Sequence, residues 1–138
     1  MSRVISTDTP GKVRNQHRRL IAEAMRHLSQ KSRLDEEAKD LAAVIVLSLQ
    51  EIANTIDQTT EAWEKRDYYM KAERFREQWR WVDAMADELG DVVYRGDWSQ
   101  LPAALARLMP HFSDITIRKL TLKPVVWQGA YEVFMRKE

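Results

Sequence analysis

The chain has 138 residues and sets 22 Lys/Arg against 21 Asp/Glu, a net charge of +1. Hydrophobic residues make up 44% and charged residues 31%, which suits one globular domain with its own core and excludes a disordered polyelectrolyte. Cysteine is absent, which excludes disulfides and thiolate metal sites, and four Gly with four Pro leave few interruptions to long helices.

The near-zero net charge hides segregation. Residues 1–33 hold eight Lys/Arg and two Asp/Glu, residues 34–114 hold nine and 17, and residues 115–138 hold five and two. A basic start, an acidic middle and a basic end either fold back on one another or face partners.

Residues 1–11 mix Ser, Thr, Asp, Pro and Gly without helical period and read as a flexible arm; residues 12–138 form the domain. The first helix is predicted over residues 12–30, with Val13, Leu20, Ile21, Ala24, Met25 and Leu28 on its apolar side. Lys12, Arg19, Arg26 and Arg33 recur every seven residues and would line one exposed stripe. Ser32 is the predicted N-cap of the second helix, and Asp35, Glu36 and Glu37 in its first turn suit the helix dipole. That helix runs to about residue 57 with the stripe Leu34, Ala38, Leu41, Ile45, Leu49, Ile52, Ile56. Between residues 41 and 49 it is apolar nearly all round, so it belongs at the centre.

Asp57, Gln58, Thr59 and Thr60 read as a break, with Thr59 or Thr60 capping a third helix. Its stripe is Tyr68, Ala72, Phe75, Trp79, Val82, Ala86, Leu89, and it continues through Gly90 to about Arg95, with Gly96 as the C-terminal glycine. The short connection makes the second and third helices an antiparallel pair. Asp97 caps a fourth helix carrying Leu101, Leu105 and Leu108, which Pro110 ends. Residues 115–117 alternate like a strand but lack a partner strand, so they read as loop or short helix. Pro124 starts a fifth helix with Val125, Val126, Tyr131, Val133 and Phe134 available for burial. The predicted fold is all-α: one helical bundle of about five helices, with a long antiparallel central pair and a non-helical N-terminal arm.

The longest apolar run, residues 41–49, is far short of the ~20 residues that cross a bilayer, and the first 20 residues lack the apolar segment of a secretory signal. A soluble cytoplasmic protein with no membrane partner is expected. Chemistry has little foothold. There is no Gly-x-Ser-x-Gly elbow, the four glycines are isolated, and His17, His27 and His111 have no metal-ligand spacing. No catalytic, cofactor-binding or metal-ligating residue is predicted.

Three readings follow. The first is a non-enzymatic interaction or assembly subunit, in contact with a protein partner or with its own copies, most readily as a homodimer. Its contact residues would be the basic first helix (Lys12, Arg14, Arg18, Arg19, Arg26, Arg33) and the aromatics that fall off the core stripe (Trp63, Tyr69, Trp81). The second is a small helical subunit of a nucleic-acid complex, whose basic helix would neutralise phosphates. The third is a metal-dependent all-α nucleotide pyrophosphohydrolase. Such enzymes hold Mg²⁺ between acidic pairs on facing helices, and Glu36, Glu37, Asp40 and Glu51 would have to work with Glu61 and Glu64 or with Asp87 and Asp91.

Overall fold

The computed structural model describes residues 8–137; residues 1–7 of the predicted arm lie outside the described residues. Helix α1 (Pro10–Ser29) starts inside that arm, so Pro10 and Gly11 are helical rather than extended. Thr9 Oγ1 accepts from the Lys12 amide at 3.2 Å, and Pro10 falls where a missing N–H costs no helical bond. Helix α2 (Glu36–Glu64) is capped by Asp35 rather than Ser32: its Oδ1 accepts from the Ala38 amide at 2.8 Å. Leu34 therefore precedes the helix and is exposed, while Ala38, Leu41, Ile45, Leu49, Ile52 and Ile56 are all buried.

The expected break at residues 57–60 does not occur. Thr60 Oγ1 donates back to the carbonyls of Ile56 (2.9 Å) and Asp57 (3.2 Å), and Thr55 Oγ1 donates to Ile52 at 2.6 Å. Hydroxyls satisfied on their own helix give it no reason to stop. The reversal comes one turn later. The Asp67 amide donates to Glu64 and the Tyr68 amide to Trp63, with Asp67 left-handed at φ 65°, the hydrogen-bond pattern that usually ends a helix on glycine. Aspartate is one of the few side chains that tolerate this conformation.

The chain returns as α3 (Tyr69–Gln78) and α4 (Arg80–Arg95), separated by one non-helical residue, Trp79, so the predicted third helix is two. α4 passes through Gly90 and ends at Gly96, left-handed at φ 65°. Arg76 meets Glu64, and a methyl group on Gly90 would sit 3.6 Å from Val46 Cγ1. Rising numbers on α3–α4 thus meet falling numbers on α2, and the pair is antiparallel as expected.

The fourth helix, α5 (Leu101–Leu108), follows a 3-10 turn at Trp98–Gln100 and ends just before Pro110, which sits inside a second such turn, Met109–Phe112. From Pro124 the chain makes only a 3-10 turn, leaving Val125 exposed; α6 (Ala130–Lys137) starts after Gly129 and buries Phe134. Asp40 on α2 caps α6, accepting from the amides of Gly129 (3.2 Å) and Tyr131 (3.0 Å).

The result is the all-α bundle, with no strand among the described residues. α2 is its axis, and α1, α3, α4 and α6 pack around it. Leu41, Ile45, Leu49 and Ile52 are fully buried there, each contributing roughly 1.5–3 kcal/mol. No described helix is long and apolar enough to cross a membrane.

Candidate interaction surfaces

The basic first helix divides into interior and exterior cations. Arg14 is buried: its Nε donates to Thr55 Oγ1 (3.1 Å), its Nη2 to Thr59 Oγ1 (3.0 Å), and its guanidinium lies 4.9 Å from the Phe75 ring centre and 5.5 Å from that of Trp79. Burial pushes its pKa down from the ordinary arginine value. Arg18 forks onto Asp114 at 2.7 and 2.9 Å, donates to the His111 carbonyl, and covers the Phe112 ring. Neither guanidinium is placed to meet a phosphate outside the fold.

The remaining four are exposed. Lys12 pairs with Asp8, and Arg26 donates to the Ile117 carbonyl. Arg33 lies beyond the end of α1, so the seven-residue stripe does not extend to it. Lys31 bridges Asp35 and Glu37 at 2.7 and 2.8 Å, hydrogen bonds that raise its pKa. Part of the basic start thus pairs with the acidic middle of its own chain.

Glu23 carries a role that the sequence reading missed. It is fully buried on α1, accepting from the Thr121 amide (2.8 Å), the Thr121 hydroxyl (3.0 Å) and the Leu122 amide (2.6 Å). Burial pushes its pKa up, but those three donors together with Arg19 outweigh it and hold the carboxyl below its ordinary value. With Arg18 and Arg26, this side chain moors the segment after α5 to α1. The available signal was position: Glu23 stands on the apolar side, between Ile21 and Met25.

Three of the acids considered as metal ligands have structural work. Glu37 receives Lys31 and, at 3.4 Å, Trp127 Nε1; Asp40 caps α6; Glu64 takes a bidentate Arg76 at 2.7 and 3.0 Å. Among the described residues no group of three or more His, Cys, Asp or Glu is arranged to hold a metal ion. His17 Nδ1 lies 3.2 Å from Ser48 Oγ, but Ser48 is buried mid-helix and out of reach of a substrate.

Two of the three singled-out aromatics pack within the chain. Trp63 meets Phe75 edge-on at 5.1 Å beneath the Lys71 ammonium, and Trp81 stacks on His111 at 4.0 Å, where burial lowers the histidine pKa. Tyr69 faces solvent. With the reversal at Asp67, Tyr68 leaves the stripe to which the periodicity assigned it. Tyr68, Tyr69 and Met70 form an apolar tip, 50, 59 and 71% exposed, beside the exposed cations Lys65, Arg66 and Lys71.

Several concave surfaces remain, one of them a shallow concavity of about 620 Å³ among Asp67, Tyr68, Tyr69, Met70 and Lys71 at the tip itself. Between α1, α5 and the segment after it runs an apolar groove of about 600 Å³, lined by Met25, Ala106, Met109, Phe112, Ile115 and Ile117, with Arg26 on its wall. It adjoins a pocket of about 270 Å³ walled by Leu28, Leu101 and Leu105 that shares Met25, Ser29 and Met109 with it. Against α4, a polar cleft of about 340 Å³ is lined by Gln50, Asp87, Gly90, Asp91, Tyr94 and Phe134. In comparisons with known proteins, no family model, no curated protein and no solved structure matched the chain.

Proposed function

We propose that this protein is a non-enzymatic interaction subunit that receives an amphipathic, acidic-flanked helix of a partner protein in the groove between α1 and α5. The observation that carries the reading is the groove itself. It joins two methionines, a phenylalanine and two isoleucines into one apolar trough beside a neighbouring leucine-walled pocket. Contiguous apolar concavities of this kind suit the apolar face of a helix, and methionine adapts to its shape. The flanks choose the partner's charge. Arg19 and Arg26 stand on one side, and Arg118 and Lys119, exposed, follow Ile117 on the other. Protein is favoured over nucleic acid because Arg14 and Arg18 spend their guanidiniums on side chains of the same fold.

A photo-crosslinking residue in place of Met109, in the cell of origin, tests this. It is expected to capture one partner through an acidic amphipathic segment, and the additional change Ala106→Trp, which fills the trough from an exposed position, is expected to abolish capture. Capture that persists in the filled groove, or that matches a crosslinker at exposed Glu61, overturns the proposal. Filter binding to generic RNA and DNA at low salt is expected to retain nothing; salt-sensitive retention would favour the nucleic-acid reading instead.

A further inference from the structure

α4 carries Asp83, Asp87 and Asp91 at four-residue spacing, which places three carboxylates on one face. Like charges so spaced repel, and burial, with Asp57 of α2 and Asp87, pushes the Asp83 pKa up. Among the described residues no Lys or Arg forms an ion pair with any of the three. Asp87 and Asp91 border the polar cleft together with Gln50 and Tyr94.

The same chain presents the complementary charge elsewhere. The reversal between α2 and α3 exposes Tyr68, Tyr69 and Met70, with the exposed cations Lys65, Arg66 and Lys71 around them and a shallow concavity among residues 67–71. Its one nearby acid in the turn, Asp67, accepts from the Tyr69 hydroxyl at 3.2 Å. Asp67 also holds the turn in its left-handed conformation, so the backbone of the tip is preformed. Phosphate-rich surfaces are poor occupants for it, since the body behind it carries the chain's acidic excess.

We infer that the tip at residues 65–71 of one copy seats in the cleft beside Asp87 and Asp91 of a second copy. In the arrangement inferred, two copies exchange tips reciprocally and close a two-fold dimer with two equal contacts, so the mass is expected to stop at twice the monomer rather than grow as an open chain. Lysine and arginine meet unneutralised carboxylates in a polar cleft, while the tyrosine hydroxyls of the tip can hydrogen-bond its polar lining, the kind of charge match that gives an interface its orientation. The contact does not use the groove between α1 and α5, because none of the residues of the groove lines the cleft.

Light scattering across a concentration series at low salt tests the inference. The wild-type mass is expected to rise from 16.2 kDa towards twice that value, and added salt to reverse the rise. Asp87→Lys with Asp91→Lys is expected to hold the chain monomeric. Lys65→Glu with Arg66→Glu and Lys71→Glu is expected to do the same, and the two sets combined to restore the dimer. All five positions are exposed, and far-ultraviolet circular dichroism verifies that each variant folds. Met70→Glu, at the most exposed tip residue, breaks the same contact by a single change. Ala106→Trp is expected to leave the dimer intact, so failure of the groove reading and failure of this one are distinguishable. A wild type that stays at 16.2 kDa throughout, or combined reversals that do not restore association, overturns it.

Discussion

Around Arg14 and Arg18 and again at the tip between α2 and α3, cations stand among aromatic rings, and the two regions use them in opposite ways. At the first, guanidiniums lie over Phe75, Trp79 and Phe112 and their donors are spent on Thr55, Thr59 and Asp114. At the second, Lys65, Arg66, Tyr68 and Tyr69 are exposed, and the contacts of Arg66 and Tyr69 stay within the turn. Similar local composition thus produces fold in one place and surface in the other. What separates them is the presence of long-range acceptors, which no local window of sequence displays.

The largest effect is expected from breaking the first region. Arg14→Glu puts a carboxylate against two ring faces and two threonines, and should cost about 3–5 kcal/mol in a chemical denaturation midpoint experiment. Glu23→Gln comes next, at about 1.5–3 kcal/mol, because two backbone amides lose a charged acceptor. The sign of its pH dependence follows from the depressed carboxyl pKa. The stabilisation is complete above the ordinary carboxylate value and disappears as pH falls through the lower folded value, so wild type and variant should converge in acid melts. Arg18→Ala should cost no more than about 1 kcal/mol, since its partner Asp114 is largely exposed. Gly90→Ala is expected to gain up to about 1 kcal/mol in thermal melts, because the added methyl meets Val46 and Phe134 at ordinary contact distance inside a helix.

The central packing was legible because it rests on period: the α2 stripe from Ala38 to Ile56 and the return stripe from Ala72 to Leu89 pack as their spacing requires, with Phe75 and Trp79 half-buried. Boundaries were less so. Thr59 and Thr60 have the composition of a break, yet one hydroxyl serves the helix's own carbonyls and the other receives Arg14 from a helix 45 residues away in sequence. The true reversal uses Asp67 in a place where glycine would have announced it. Among the surfaces, position off the stripe did not separate exposed from packed rings: Tyr69 faces solvent, Trp63 and Trp81 pack within the chain, and Tyr68, on the stripe, is exposed. The groove was not legible, because α1, α5 and residues 113–117 contribute to it, and long-range contacts of Arg18, Glu23 and Arg26 with residues 111–122 bring them together.

The most direct test of the contrast between the two cationic regions is a pair of thermal melts on monomeric protein at high salt. One compares Arg14→Glu with wild type; the other compares Lys65→Glu with Arg66→Glu and Lys71→Glu against the same reference. The account requires a Tm lowered by ten degrees or so in the first, from a loss of about 3 kcal/mol or more, and a change within about 0.5 kcal/mol in the second. An unaltered melt for Arg14→Glu, or a collapse of the tip variant, would contradict it.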